Sequence, residues 1–489
     1  MDPVRNPYSP GAGTRPPALV GREREIEAMD VALQRVLMGR AGRGQILTGL
    51  RGVGKTVLLN EFEHLAGRQV DGRELFHEHV EVSEEGRLAP LLVGAFRRLL
   101  LAMQAKKRLG EYVTRALGVL KAFSLRLPDG AEIRIDVEAV HGPADSGDLA
   151  SDLAGLFVEV GQVARDSKSG VLLTLDELHY VDLATYTALV VGLHRATQLN
   201  LPIVVAGAGL PSLATLTGEA KTYAERMFTF PRIGSLSMDL AIEALTAPAS
   251  DEGVVWEEGA LALVLQVTEC FPYFLQEFGK AAWDVADGPD AITRDDVERS
   301  LPLARAELDD GFFRVRATRA NDGERLYLRA MAELGRGAVR TGDVAELLGT
   351  RVQALAPVRA ALIKRGVVYS PRRGEIEFTV PMFGDYMKRS VPDLGQRRPR
   401  PAPGAAAVGR ASRSWYPVAH AAGWSSQVAR RAHNPKVEGS NPSPATNERA
   451  GQSRCESTGS VVSAKLVSSS IPSARLQCPV GAGDQAQEA

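Results

Sequence analysis

Gly49-Leu50-Arg51-Gly52-Val53-Gly54-Lys55-Thr56 reads G-x-x-x-x-G-K-T without a mismatch. An apolar stretch, Gln45-Ile46-Leu47-Thr48, runs into it as a strand would, and residues 57–62 leave it as a helix would. Glycines at these positions let consecutive backbone N–H groups turn inward around phosphate oxygens, and the following helix adds its positive N-terminal end. In such a loop Gly49, Gly52, Val53 and Gly54 supply backbone, Lys55 bridges the outer phosphates, and the Thr56 hydroxyl binds Mg²⁺. The strand before and the helix after separate this motif from a chance glycine-rich turn.

The partner of the loop is Val171-Leu-Leu-Thr-Leu-Asp176-Glu177. A short apolar run of this kind suits a parallel strand buried on both faces. Asp176, at its end, is placed to hold Mg²⁺ through water. Glu177 comes one residue later, points elsewhere, and is the candidate to polarise an attacking water. Two acids at a strand end can simply be solvated; the upstream loop is what favours a shared function.

A chain of 489 residues is long enough for two or three domains, and 44% hydrophobic with 24% charged residues is ordinary for a soluble globular protein. No run of about 18 apolar residues exists, so no membrane span is expected. Residues 1–18 are rich in Pro and Gly without an apolar centre, and read as a flexible leader rather than a signal peptide. Cys270, Cys455 and Cys478 lack metal-ligand spacing and suit a reducing cytoplasm. His179 and His194 have no acidic or thiol cluster around them in sequence and read as ordinary helix or loop residues. Residues 1–321 carry 34 Lys and Arg against 45 Asp and Glu, residues 322–392 carry 12 against 8, and residues 393–489 carry 12 against 6. The middle segment is therefore the one folded-looking part with a basic balance.

From residue 19 to about 237 strand-like and helix-like segments alternate, the signature of an α/β domain with a parallel sheet. Strands are expected at 45–48, 78–82, 171–175, 202–206 and 228–230. Residues 123–137 alternate apolar and polar side chains about Pro128-Asp129-Gly130, which reads as a β-hairpin insertion. Asp145-Ser146-Gly147-Asp148 reads as the cap of a helix beginning near Leu149. Residues 238–321 have apolar positions at helical spacing. Between 322 and 392, helices are expected at 324–334 and 342–348. A third is expected from Pro357, a favourable first-turn residue, to a cap at Gly366. A hairpin about Pro371-Arg-Arg-Gly374 follows. Three helices and a hairpin make a winged helix-turn-helix.

Over roughly residues 19–390 the chain resembles the AAA+/STAND superfamily of P-loop ATPases. More closely, it looks like actinobacterial ATP-binding proteins with an origin-recognition-type ATPase domain. Besides the two phosphate motifs, the resemblance rests on Leu19-Val20-Gly21-Arg22-Glu23, on 204–211 and on Phe271-Pro272-Tyr273-Phe274-Leu275-Gln276. It implies ATP and Mg²⁺ as ligands and Val20, Gly21 and Arg22 along the adenine pocket. It also implies Pro272 in a lid motif, a helical lid over 238–321 and a winged helix after it. Departures accompany it. The sensor strand around Ala206 to Ala208 has no Asn, Ser or Thr, Cys270 stands where a glycine is usual, and the lid helix has Lys280 but no sensor arginine. Arg226 is the best candidate to read the γ-phosphate or a neighbour's nucleotide, with a plain surface arginine as the alternative. These departures imply a slow, switch-like ATPase rather than a motor.

Three readings follow: a nucleotide switch acting on a partner protein or another copy of itself, an ATP-dependent DNA-binding regulator or initiator, and a nucleotide-binding scaffold without significant hydrolysis. Arg351, Arg359, Lys364 and Arg365 lie on or beside the third helix of the 322–392 segment, and Arg372 and Arg373 lie at the tip of its hairpin. Phosphate contacts from such residues would dominate DNA affinity; packing or partner binding is the alternative.

Residues 393–489 lack apolar periodicity and read as a disordered tail. Within it, Ala432-His-Asn-Pro435 and Gly439-Ser-Asn-Pro442 are encodable by stretches resembling the anticodon arm and T-arm of a tRNA gene, so the tail reads as read-through, with an Arg-rich nucleic-acid tail as the competitor. A chain ending at Pro392 is expected to match the full chain in melting temperature and ATP affinity. Loss of either on truncation would show that the tail packs on the core.

Overall fold

Five strands, Gly44–Thr48 (β1), Leu75–Glu81 (β2), Gly170–Asp176 (β3), Ile203–Gly209 (β4) and Phe228–Thr229 (β5), pair in the order β2-β3-β4-β1-β5 with every pair parallel. The computed structural model describes residues 1–391 except 41, 70–71, 108–109, 128–134 and 221–223, and, for side chains, also except 106–107, 214–215, 217 and 219. β1, β3 and β4 are buried along their whole length, which is why their residues are apolar without alternation. Leu172, Val204 and Ala206 join one core with Glu23–Leu37 (α1) and Lys55–Ala66 (α2). Val171, Leu173 and Val205 join a second core with Leu88–Lys107 (α3), Gly110–Ser124 (α4), Leu149–Asp166 (α5) and Leu183–Gln198 (α6). The period of two thus assigns neighbouring strand residues to opposite faces of a three-layer sandwich.

All five expected strands are present, with β2 starting three residues earlier and β4 running to Gly209. Asp148 caps α5, accepting from the Ser151 amide. The hairpin expected over 123–137 is not a hairpin where it is described. Phe123 and Ser124 close α4, and 135–137 carry no strand; its turn lies outside the described residues. Both residues are buried with the second half of α4, so tertiary packing outweighed the local alternation. The stretch Leu88–Ala105 of α3 has a mean hydropathy of 1.4 despite the expectation of no such run; half of it is buried within the protein, with Leu92, Phe96, Leu99 and Met103 in the second core.

Ser212–Ala220 (α7) and Ala224–Met227 (α8) lead into β5. A helical layer follows: Met238–Asp251 (α9), Glu258–Thr268 (α10), Pro272–Val285 (α11) and Arg294–Glu307 (α12), joined by the short parallel pair Val255–Trp256 (β6) and Ala291–Ile292 (β7). A π-turn at Leu308–Phe313 and Arg314–Thr318 (α13) carry the chain on to Asp322–Leu334 (α14), Val339–Arg340 (β8), Thr341–Leu347 (α15), Val352–Lys364 (α16), Val368–Tyr369 (β9), Glu375–Phe378 (β10) and Phe383–Ser390 (α17). The last three strands form an antiparallel sheet in the order β8-β10-β9. Pro357 does not start its helix. It lies inside α16, five residues after Val352. Pro357 and Gln353 are both exposed, so the carbonyl that a proline N–H cannot serve is left to water. Gly366, at φ +63, follows α16 as expected of a helix terminus.

Residues 1–18 are not a loose leader. Tyr8 is 3% exposed and stands edge-on to Trp256, whose indole N–H donates to the Tyr8 hydroxyl at 2.8 Å. Asn6 donates to Asp284 at 2.8 Å, and Trp283 donates to the Asp2 carbonyl at 2.9 Å. The composition suggested mobility, but a buried aromatic with its hydroxyl satisfied outweighs the local preference of a Pro/Gly segment.

Phe274 joins the helical layer to the C-terminal part. It is fully buried on α11, edge-on to Phe312 and 6.4 Å from Phe313, which in turn touches Phe383 and Tyr386. Phe274→Ala is expected to destabilise the protein by about 3–5 kcal/mol through the lost burial and the cavity left behind. Denaturant unfolding followed by tryptophan fluorescence checks this; a change below about 1 kcal/mol would mean the cluster collapses around the void.

Candidate nucleotide site

The loop after β1 is shaped by two left-handed glycines, Gly52 at φ +86 and Gly54 at φ +94. At Gly52 a Cβ would stand 3.0 Å from Phe271 and 3.1 Å from Tyr273, so only glycine lets the lid approach this closely. The Tyr273 amide donates to the Gly52 carbonyl at 3.2 Å, tying α11 to the loop. Lys55 is 9% exposed and donates to the carbonyls of Gly49 at 3.1 Å and Leu50 at 2.7 Å. Burial lowers its pKa to about 8, opposed by Glu177 and Asp176. The Thr56 hydroxyl donates to Asp176 at 2.6 Å, so the two side chains expected to share a metal already meet at the carboxyl ends of β1 and β3. The other Asp176 oxygen accepts the Glu177 amide at 2.7 Å.

Glu177 sits at φ +56, a left-handed conformation rare for a side-chain-bearing residue and frequent at functional sites. Burial raises its pKa and Arg51 lowers it. Its carboxylate meets the Arg51 guanidinium at 2.9 Å and His179 Nδ1 at 3.2 Å. Burial, Arg51 and Lys55 push the His179 pKa down to about 2, so the imidazole is neutral; its Nδ1 accepts from the Leu210 amide at 3.4 Å and makes no ion pair with Glu177. His179 fills the end of β4, where a Cβ on Gly209 would stand 3.5 Å from its Nδ1. It thus occupies the place that the apolar sensor strand leaves without a polar side chain, which the sequence reading missed.

Val20, Arg22, Gly52, Val53, Gly54, Lys55, Thr56, Asp176, Glu177 and Pro272 all line one cavity of about 520 Å³. Arg22 braces the loop, donating to the Gly234 carbonyl at 2.8 Å and the Val53 carbonyl at 3.3 Å. Gly21 and Gly49 stand just behind the wall; Gly21, at φ +70, packs under Leu240, and the Gly49 amide donates to the Gly209 carbonyl at 3.2 Å. Cys270 keeps the conformation that the missing glycine would have had, at φ +56, and its carbonyl accepts the Leu236 amide at 3.0 Å.

Two of the sequence expectations are corrected. Arg226 cannot reach this cavity. It is exposed on α8, just before Phe228, which pairs with Gly44 at the amino end of β1, whereas the phosphate loop leaves the carboxyl end. Arg359 is not available to a nucleic acid, because its guanidinium donates to Ser370 at 2.8 Å and to the Glu375 carbonyl at 3.4 Å, bracing the C-terminal hairpin. Arg351, Arg372 and Arg373 are exposed. Lys280 is held by Asp284 at 3.3 Å. The lid-side cation is instead Arg316 on α13, stacked 3.9 Å from the Phe312 ring centre. Burial and Arg51 lower its pKa to about 10, and it lines the cavity. Arg316 lies far from any motif, and no local pattern signals it. Arg51, in a variable position of the loop, was quoted in the motif without a role.

The residues fit a magnesium nucleotide. A hydroxyl and a carboxylate are paired for a hydrated divalent ion, a buried lysine lies under the loop on the Gly49 and Leu50 carbonyls, and apolar walls lie beyond the loop.

Residues 18–205 match the profile of the AAA ATPase domain family, and residues 310–387 match a profile described as a domain of unknown function. No curated protein matches the chain. Among solved structures the chain is similar to the Thermotoga maritima RuvB Holliday junction branch migration motor, at 16% identity and TM-score 0.38, covering 77% of this chain and 99% of that one. It is also similar to Aeropyrum pernix ORC1 in complex with DNA, at 15% identity and TM-score 0.41, covering 76% and 93%. A third similarity is to Pyrobaculum aerophilum Cdc6p, at 15% identity and TM-score 0.39, covering 80% and 99%.

Lys55→Ala is expected to abolish tight binding of a fluorescent ATP analogue, since it removes the charge buried against the Gly49 and Leu50 carbonyls, where the outer phosphates would sit. Glu177→Gln is expected to keep that binding and to slow release of inorganic phosphate by about 100-fold, the usual contribution of a general base. Turnover equal to the parent in both variants would place the chemistry elsewhere.

Proposed function

We propose that this chain, whose residues 18–205 match the AAA ATPase domain family, works as a slow Mg-ATP-dependent switch that frees its C-terminal module toward a partner. The observation that carries this reading is the position of Arg51. Its backbone N–H donates to the Thr379 carbonyl at 3.1 Å and its Nε to the Gly366 carbonyl at 3.4 Å, both in the C-terminal module. The same guanidinium holds Glu177 at 2.9 Å and Tyr180 at 2.8 Å. One side chain therefore touches the phosphate loop, the candidate catalytic acid and the module.

Bound Mg²⁺ and triphosphate would supply a polarised terminal phosphate. Lys55 leaves the Gly49 and Leu50 carbonyls for phosphate oxygens, and Thr56 and Asp176 hold the ion. Arg51 and Arg316, both partly buried cations facing the cavity, turn to the added negative charge, because a desolvated anion outcompetes a carbonyl for a guanidinium. Glu177, released by Arg51, accepts a proton from the attacking water. While Arg51 keeps its hold, Glu177 is poorly placed to do so, which supports slow turnover. Loss of the Gly366 contact loosens the module, the two-state element of the switch.

We read the C-terminal module as a winged helix used for protein contact. The exposed positions of α16 are mostly apolar, Val352, Ala354, Ala356, Pro357 and Ala360, with Gln353 and Lys364 the two exposed side chains able to hydrogen-bond base edges. Arg351, Arg372 and Arg373 leave an electrostatic DNA contact as the second reading. Self-association is the arrangement in which exposed Arg226 would meet a nucleotide, that of a neighbouring copy. A cytoplasmic setting belongs to the same reading, resting on the cysteine usage.

Hydrogen exchange over residues 366–380 is expected to rise with Mg-ATP and to stay low with Mg-ADP, and Arg51→Ala should show the raised exchange without nucleotide. Equal exchange with both nucleotides would sink the switch and leave a nucleotide-binding scaffold. Retardation of duplex DNA at low salt that is lost on replacing Arg351, Arg372 and Arg373 by alanine would favour the DNA reading instead.

A further inference from the structure

Residues 1–16 contribute nothing to the phosphate chemistry, yet they run from the helical layer to the start of α2 across the mouth of the cavity. Three anchors hold the first part to the helical layer. Tyr8 is buried against Trp256, with its hydroxyl donating to the Leu245 carbonyl; Asn6 bonds Asp284 and the Lys280 carbonyl; Arg5 meets Glu252 at 2.8 Å. The α11 helix is cut away to receive the ring, since a Cβ at Gly279 would stand 3.0 Å from Tyr8. Two anchors hold the second part to the core. Asn60 on α2 donates to the Gly13 carbonyl at 3.0 Å, and Arg15 stands 3.4 Å from Glu61.

Between these anchors, residues 9–14 and Pro16 line the nucleotide cavity. Gly13 makes the crossing possible. It is at φ +72, and a Cβ there would stand 3.1 Å from the methyl group of Thr56. The segment therefore passes directly over the residue expected to bind the metal. Beyond it, Pro16, Ala18 and Val20 face Leu236, Ala244 and Leu275 across the cavity, two apolar walls suited to the faces of a purine. Prolines at 3, 7, 10, 16 and 17 fix φ at five positions of the segment, which lowers the entropy cost of holding it in place.

We propose that residues 9–16 are a retaining strap over the nucleoside half of the site, which must lift for a nucleotide to enter or leave and which makes nucleotide exchange slow. This rests on the ATP-site reading above. Because the strap is fastened to both the helical layer and α2, it also prevents those two parts from separating while a nucleotide is bound. Inorganic pyrophosphate, which occupies only the loop, is not retained by it.

The test uses the full chain with Gly13→Val, which lifts the strap off Thr56, and separately Tyr8→Ala, which releases its far anchor. Release of a mant-labelled ADP, followed by stopped-flow fluorescence, is expected to be at least about ten-fold faster in both variants, as expected of an effect exerted on dissociation. Affinity for pyrophosphate, measured by calorimetry, is expected to stay within about two-fold of the parent, since the loop is untouched. Tyr8→Ala leaves a void among the lid helices, so Gly13→Val, at a loop position outside the helices, decides the matter if Tyr8→Ala misfolds. Release at the parental rate in Gly13→Val, or an equal loss of pyrophosphate affinity, would overturn the strap while leaving the ATP site intact. A parent protein that binds no mant-ADP, or binds it equally after Lys55→Ala, would overturn the site and the strap together.

Discussion

Charges held out of water at the carboxyl ends of β1 and β3 are the constraint on which the rest of the architecture depends. Lys55, Asp176 and Glu177 are buried or nearly so, and Arg51 lies among them with a largely covered side chain. A buried ion is tolerated only when paired and hydrogen-bonded. The chain meets this condition by joining distant segments: the loop carbonyls serve Lys55, Thr56 serves Asp176, and Arg51 serves Glu177 while reaching Gly366. Any added phosphate changes that balance, and the change falls on contacts that hold separate parts of the protein together.

The same economy governs the walls of the cavity. The sheet supplies its floor, the helical layer its apolar side, and the N-terminal segment its cover. Aromatic contacts, rather than backbone pairing, join the helical layer to the C-terminal module, with Phe312, Phe313 and Phe383 in succession. Aromatic side chains can re-pack over small displacements, whereas a sheet pairing breaks as a unit. A joint of this kind suits parts that change position with the state of the site.

Much of the fold was legible locally. Apolar runs located β1, β3 and β4 to within a few residues, because a parallel strand buried on both faces tolerates little else. The helix after Asp148 was legible through its cap, a short-range interaction between a carboxylate and nearby amides. Legibility failed where long-range packing competed with local pattern. Phe123 alternates like a strand residue but ends a buried helix, Pro357 resembles a helix start but lies inside one, and residues 1–18 have the composition of a mobile arm but are anchored by Tyr8.

The sequence by itself determined the phosphate loop, its lysine and threonine, and the acidic pair after β3. Each depends on spacing along one strand–loop–helix or one strand end, and spacing is preserved in the chain whatever it packs against. Only the tertiary structure decided that Arg51 links the loop to Glu177 and Gly366, that His179 fills the end of β4, and that Arg316 rather than Lys280 faces the cavity. It also decided that Arg226 lies at the wrong end of the sheet for its own site and that Arg359 braces a hairpin. The physical reason is common to all five. A lone charged or aromatic residue carries no period and no spacing, so its role is set by which distant groups folding brings within about 3 Å of it, the reach of a hydrogen bond.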